Sequence, residues 1–478
     1  MYYTLPCAPA LLRQDRFDVL ESDEFEVSFW RILDAIISRK AANGSDLIDQ
    51  LETIAVTLHD TTGDCDYGFL RTFITQWTTN HFFDRVWPEL VDLALEMPRL
   101  FPQCSLPVLC EKRRQVILSR RQVACLVIHQ FLGTLLRQPW ETDSSVDFHV
   151  WYSSSPGHSG AKEAYLTALF TYFERIVSGE LDIRGDSTHP ITFTLRTIEE
   201  NDLKLASVLE YATLLPMTVS YEPTPTTAPP FLGLPDGACV IFANRNVGFG
   251  MTGTQEEMHV GASPECCPVV LLAPTLRDKD ALIVEGPEAM ISMIGYGREA
   301  RLSEVLPPRP TSPLKGDSQP LPWDRRTMLF MDALELDTYH VQEGAVPDLL
   351  PGHVDRELTK AYAAFSSRRD NNATSEDGYT SIVTGLWGCG AFGGNREIKT
   401  LIQWCAASLA GVALNFICAG PNQSDFATCL ENFVDDASDK RWRVRDVLEV
   451  LRRLRPNDAE AREVFSFVVR SLDRSAEW

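Results

Sequence analysis

No apolar run in the 478 residues approaches the ~18 needed to cross a bilayer, and Met1-Tyr-Tyr-Thr-Leu-Pro-Cys7 lacks the basic flank and long apolar stretch of a secretory signal. A nuclear or cytoplasmic protein that is not secreted is expected. The 12 cysteines include no Cys-x-x-Cys pair and no Cys/His cluster at zinc spacing, so they read as reduced core thiols rather than a disulfide framework or a structural metal site. Positive charge is also scarce. Forty-four Lys and Arg stand against 66 Asp and Glu, a net charge of −22, and acidic residues exceed basic ones both before and after Pro190. Neither half is a basic nucleic-acid platform. A polyanion would have to be held locally, by backbone N–H groups and a few cations, against an unfavourable long-range field.

What is present is an ordinary globular composition, 44% hydrophobic and 23% charged, in a chain long enough for two large domains. Residues 24 to about 180 read as helices. Apolar residues recur at three and four in Phe25, Val27, Phe29, Ile32, Leu33, Ile36 and Ile37, and the runs Arg121–Leu136 and Ala161–Val177 are helical too. After Thr192, short β-branched runs (Met217–Tyr221, Ala238–Phe242, Ala281–Val284, Met328–Asp332, Thr380–Thr384, Val412–Ile417) alternate with helical segments, which predicts an α/β layer domain. Polar or proline-rich stretches at Pro223–Pro235, Pro307–Pro322 and Ser366–Asp377 are expected to be surface loops.

Two glycine loops follow two of these strands: Gly248-Phe-Gly250-Met-Thr-Gly253 and Gly388-Cys-Gly390-Ala-Phe-Gly393. Both satisfy G-x-G-x-x-G, but a dinucleotide site also needs an acidic residue some 20 positions on, and position 273 is Ala. Either loop alone reads as a tight turn. Without Cβ atoms, however, such turns bring backbone N–H groups against an anion, and two of them suit a diphosphate. Gln255-Glu256-Glu257 follows the first loop at the start of a short helix. Alone, that pair complements the helix dipole. Beside a bound diphosphate, like-charge repulsion would raise one carboxyl pKa toward that of a general acid.

Asn244 with the first loop and Gln255-Glu256-Glu257, then Gly295-Tyr296, then Thr384-Gly-Leu-Trp-Gly-Cys-Gly-Ala-Phe-Gly-Gly394, resembles the poly(ADP-ribose) glycohydrolase family in content, order and spacing. Ser119–Leu126, Leu169–Arg175 and Asp355–Phe365 extend the resemblance outward. It implies an all-α accessory domain over residues 1–190 and, over 191–478, a three-layer α/β/α macrodomain with a mixed sheet. It also implies an exo-acting hydrolase of poly(ADP-ribose) that releases ADP-ribose, acts on ADP-ribosylated proteins in the DNA damage response, is monomeric, and uses neither metal nor cofactor. Glu257 would be the acid and base, and Glu256 would hold the ribose hydroxyls. Asn244 would bind the terminal ribose beside Gln255. Gly248, Gly250 and the loop of Gly388, Gly390, Ala391, Phe392 and Gly393 would cradle the diphosphate, with Tyr296 near the adenine or diphosphate.

Three positions depart from the family pattern. Phe249 replaces the middle of three glycines in a loop that is also shorter, Leu386 stands where Asn is common, and Ile241 where an Asp often precedes Phe-Ala-Asn. The alternative reading is therefore a macrodomain that binds ADP-ribose ends as a reader, with little or no turnover. Retention of both glutamates favours the enzyme.

Overall fold

The computed structural model describes residues 1–21, 25–59, 66–77, 81–137, 145–183, 189–198, 211–235, 237–308, 322–366 and 379–475. Most of two expected loops, at 309–321 and 367–377, lies outside these residues. The chain forms two compact units that interleave along the sequence. The first comprises Met1–Phe193, Asn246–Pro274 and Gly286–Asp324; the second comprises Thr194–Arg245, Thr275–Glu285 and Arg325–Trp478.

The first unit is mainly helical: α1 (Phe29–Ile37), α2 (Gly44–His59), α3 (Gly68–Trp77), α4 (Trp87–Leu95), α5 (Arg120–Leu132), α6 (Ser159–Ser178) and a short α7 (Gln255–Gly261). In α1 the stripe Phe29, Ile32, Leu33, Ile36 and Ile37 is buried, as its spacing requires. The helix starts later than the periodicity suggests, because Val27–Ser28 pairs as a short strand with Leu12–Arg13 and Phe25 is 78% exposed. Helix α5 opens on a capping box. Ser119 accepts from the Gln122 N–H, and Gln122 Oε1 accepts from the Ser119 N–H at 3.0 Å. It ends at Leu132 rather than the expected Leu136, because Gly133 takes a left-handed φ of 67°. Phe131 of α5 packs edge-on against Phe170 and Phe173 of α6 at 5.8 and 5.5 Å, giving the unit an aromatic core.

The second unit is built on a mixed sheet of β1 (Ile191–Thr197), β2 (Met217–Glu222), β3 (Gly237–Ala243), β4 (Asp280–Glu285), β5 (Thr327–Asp332), β6 (Ser381–Gly385) and β7 (Ala413–Ala419). Their order is β1-β4-β5-β3-β6-β7-β2. Strands β5, β3, β6, β7 and β2 run parallel, and β4 is antiparallel to β5. Each strand run read from the sequence is observed; β1 adds another, with Ile191, Phe193 and Leu195 buried in alternation. All six residues of β5 are buried, the pattern of a central strand covered on both faces. Helices α8 (His353–Phe365), α9 (Arg396–Ala410), α10 (Ser424–Lys440), α11 (Val444–Arg453) and α12 (Val464–Ser475) complete the unit. One hydrophobic cluster runs from β5 and β6 through Leu401, Ile402 and Trp404 of α9 to Val447 and Leu451 of α11.

Candidate active site

The glutamate pair belongs to the first unit. Thr254 is the N-cap of α7 and Glu257 its third residue, and the two form a capping box. Glu257 Oε2 accepts from Thr252 Oγ1 at 2.8 Å and from the Thr254 N–H at 3.2 Å. Oε1 accepts no hydrogen bond among the described residues, and it faces Gly250 so closely that a Cβ there would lie 2.1 Å from it. Gly250 is thus glycine because a carboxylate occupies the space of a side chain. Glu256 is buried and turns back on the same loop, its Oε1 accepting from the Gly248 N–H at 3.0 Å. The Gly248 amide is therefore engaged within the loop, while those of Phe249, Gly250 and Met251 make no hydrogen bond among the described residues.

Phe249 shows how a bulky residue is accommodated in this loop. Its ring is 6% exposed and packs against Phe148 and Trp151 at 5.1 and 5.4 Å. The Trp151 indole N–H donates to the Gly250 carbonyl at 2.8 Å. Gly253, at φ 74°, accepts from the Gly297 N–H at 2.9 Å, which ties the Gly295-Tyr296-Gly297 turn to the glycine loop. Tyr296 is 51% exposed. Its phenol is pushed above the ordinary value by desolvation and by the negative charge of Glu257. Tyr165, fully buried, is pushed up for the same two reasons, and its hydroxyl has no hydrogen-bond partner among the described residues. Gln255 opens α7, and His259 in its last turn is buried.

Asn244 and the second glycine loop belong to the second unit. Asn244 is exposed immediately after β3. After β6 the chain passes Trp387, whose indole N–H donates to the Met331 carbonyl at 3.0 Å, and enters the loop with Gly388 at φ 72° and Gly393 at φ 69°. The loop closes on itself, Gly394 N–H donating to Gly388 O at 2.9 Å and Gly393 N–H to Gly390 O at 3.1 Å. The consecutive amides of Gly390, Ala391 and Phe392 make no hydrogen bond among the described residues, an arrangement suited to an anion. The Phe392 carbonyl accepts from the Leu336 and Asp337 amides at 2.9 and 3.2 Å, holding the loop from its other side. Asn395 then caps α9, its Oδ1 accepting from the Glu397 and Ile398 amides. Such a cap contributes about 1 kcal/mol.

Sequence reading did not identify the buried ionic network beneath this loop. Lys399 lies 5.0 Å from the Trp387 ring centroid and donates to Glu357 Oε2 at 2.8 Å, and Asp348 Oδ2 accepts from the Asn395 N–H at 2.9 Å. Burial pushes the Asp348 carboxyl up, against the pull of Lys399. Arg356 donates to Glu357 and Asp332, and Lys360 donates to Asp332 Oδ1 at 2.6 Å. Charged residues inside apolar helix faces, Lys399 between Ile398 and Leu401 and Lys360 between Leu358 and Ala361, were the available signal.

Comparison with known proteins gives two matches in chain order. The family described as Poly (ADP-ribose) glycohydrolase (PARG), helical domain, matches residues 74–194, and Poly (ADP-ribose) glycohydrolase (PARG), Macro domain fold, matches residues 235–426. Poly(ADP-ribose) glycohydrolase 1 of Caenorhabditis elegans is 27% identical over 315 residues, which are 63% of this chain but 36% of that protein, so this chain spans little more than a third of its length. Poly(ADP-ribose) glycohydrolase 1 of Arabidopsis thaliana is 23% identical over 440 residues, 76% of each chain. A solved poly(ADP-ribose) glycohydrolase from Deinococcus radiodurans in complex with ADP-ribose shows 14% identity and a TM-score of 0.32, covering 51% of this chain and 95% of that one, too slight a likeness to carry an argument. The expected helical domain followed by a macrodomain is present, and the chain belongs to the poly(ADP-ribose) glycohydrolase family.

Proposed function

We propose that this chain hydrolyses the ribose–ribose O-glycosidic bonds of poly(ADP-ribose), acting mainly from chain ends and releasing ADP-ribose. The observation that carries the reading is the setting of Glu257, with Oε2 fixed by Thr252 and Thr254 and Oε1 free of hydrogen bonds among the described residues. That division suits a group that must be held still by one oxygen while the other passes a proton. Protonated Oε1 donates to the leaving 2′ oxygen as the bond from the anomeric carbon to that oxygen breaks. The resulting carboxylate takes a proton from water, whose oxygen bonds to the anomeric carbon, and the carboxyl is restored. The oxocarbenium-like charge leans on the substrate's own diphosphate, and the sequence of steps needs neither metal nor cofactor.

Glu256 orients the ribose hydroxyls, helped by Gln255; Asn244 holds the terminal ribose. Tyr296, half exposed and within reach of the Glu257 field, contacts the adenine or the diphosphate. In the second unit the unspent amides of Gly390, Ala391 and Phe392 take phosphate oxygens, and Gly388 and Gly393 supply the left-handed turns that shape them. On this reading the chain reverses ADP-ribosylation in the nucleus or cytoplasm, including in the response to DNA damage.

A shortened loop with a phenylalanine in it favours a non-catalytic reader only if the ring blocks the site, and here the Phe249 ring is seated on Phe148 and Trp151. The test is incubation of the purified protein with auto-modified poly(ADP-ribose) polymerase. Shortening of the polymer with release of ADP-ribose is expected. Intact polymer refutes hydrolysis, and intact polymer held on the protein supports the reader.

A further inference from the structure

The Gly250 peptide is wedged between two groups of the first unit. On one side the Trp151 indole N–H holds its carbonyl at 2.8 Å; on the other its Cα abuts the Glu257 carboxylate, with no room for a Cβ. Trp151 is itself immobilised. It is 1% exposed, stacked on Phe148 at 4.4 Å with rings 4° from parallel, and flanked by Phe249 at 5.4 Å and Tyr165 at 5.2 Å. Tyr165 is seated in turn by Gly261 of α7, where a Cβ would fall 2.3 Å from its ring. Trp151 lies far from the glutamates in sequence, on the short helical turn His149–Tyr152.

From this geometry we infer that Trp151 is a positioning residue for Glu257: its single indole N–H sets where the Gly250 peptide lies, and the peptide sets where Oε1 lies. The inference rests on the proposed hydrolase reading but is separable from it. A glycine-rich loop has little intrinsic stiffness, and a shift of ~1 Å in a catalytic group costs about 100-fold in rate. A hydrogen bond from a rigid, buried ring meets that requirement without touching substrate.

Trp151→Phe keeps a buried aromatic ring and removes the donor. Its kcat on poly(ADP-ribose) is expected to fall at least about tenfold while KM moves less than about threefold, the pattern of a misplaced reacting group rather than lost binding. Hydrogen exchange of the Gly248 and Thr254 amides, which are hydrogen-bonded to Glu256 and Glu257, is expected to quicken by about tenfold or more, with α5 unchanged. Phe173→Leu, a core truncation in α6, controls for packing and should lower Tm without either effect. Turnover and exchange within about twofold of wild type would overturn the inference, as would losses that follow Tm equally in both variants. Failure of the wild-type protein to hydrolyse polymer would sink the hydrolase reading instead, and the exchange measurement would still decide whether Trp151 anchors the loop.

Discussion

Glu257 has two duties in the structure, and one substitution pair separates them. As the third residue of α7 it completes a capping box with Thr254, and as the proposed acid and base it must exchange a proton from Oε1. The capping duty has a bounded value, since loss of such a cap costs ~0.5–2 kcal/mol. For a unit of this size that is a fall in Tm of a few degrees, about 2–4 °C per kcal/mol. The proton-transfer duty is larger, because removing a general acid or base costs ~10²–10⁴ in rate and here one group serves as both. Glu257→Gln leaves an amide oxygen able to accept from Thr252 and Thr254, so the cap survives while proton transfer does not. Its Tm should stay within about 2 °C of wild type. Its ADP-ribose affinity by calorimetric titration should stay within about threefold, and its kcat should fall at least about 100-fold. Glu257→Ala should share the kcat loss and also lose the few degrees. A Gln variant with more than about a tenth of wild-type turnover would refute the mechanism, leaving Glu257 as a helix cap.

Three further outcomes follow from the structure. Gly250→Ala puts a methyl 2.1 Å from Glu257 Oε1, so the carboxylate must move; turnover should fall by about 100-fold, and Tm by no more than the few degrees that loss of the Glu257 cap costs. Gly393→Val forces a β-branched residue into φ 69°, which should distort the Gly390–Phe392 amides and weaken ADP-ribose binding at least about tenfold, ~1.4 kcal/mol; unchanged affinity by calorimetry would mean the second loop is only a turn. His129 is fully buried between Thr134 Oγ1 and the Ala94 carbonyl, and burial lowers its pKa to about 4. The unfolded chain, with a histidine near the ordinary ~6.5, therefore binds the proton first, so stability is full above about pH 6.5 and is lost as pH falls toward 4. Urea unfolding at pH 7 and pH 4.5 should show this loss, on the order of 2 kcal/mol, in wild type and not in His129→Gln; equal losses would remove His129 as the cause.

Local patterns in the sequence were legible where their cause is local. The strands from Met217 to Ile417 were readable because β-branched and apolar runs bounded by turns have few other uses, and the buried stripe of α1 follows from its spacing. Element ends were misread where a single residue overrides periodicity, as Gly133 does in α5. The glycine loops and the glutamate pair were visible because each is a contiguous segment. Their supports were not. The Trp151–Gly250 bond joins residues 99 apart and the Lys399–Glu357 pair residues 42 apart, and no periodicity carries information about such partners. A tryptophan in a helical region reads as core, and Trp151 is core; only its N–H, aimed at one particular carbonyl, gives it a second use.

Phe249 is the position where the family pattern and the residue itself disagree, and the packing reconciles them. Three successive glycines let a loop approach phosphate, but such a loop is costly to order when ligand binds. Here one of the three places holds a ring that is turned inward onto Phe148 and Trp151, and burying a phenylalanine side chain contributes about 1.5–3 kcal/mol. That ring, the indole bond to Gly250 and the Glu256 bond to the Gly248 amide fix three successive residues of the loop from three directions. The Phe249, Gly250 and Met251 amides make no hydrogen bond among the described residues, so this ordered loop keeps those donors. From the pinned Phe249 and Gly250 the chain reaches the N-cap of α7 at Thr254 through Met251, Thr252 and Gly253 alone.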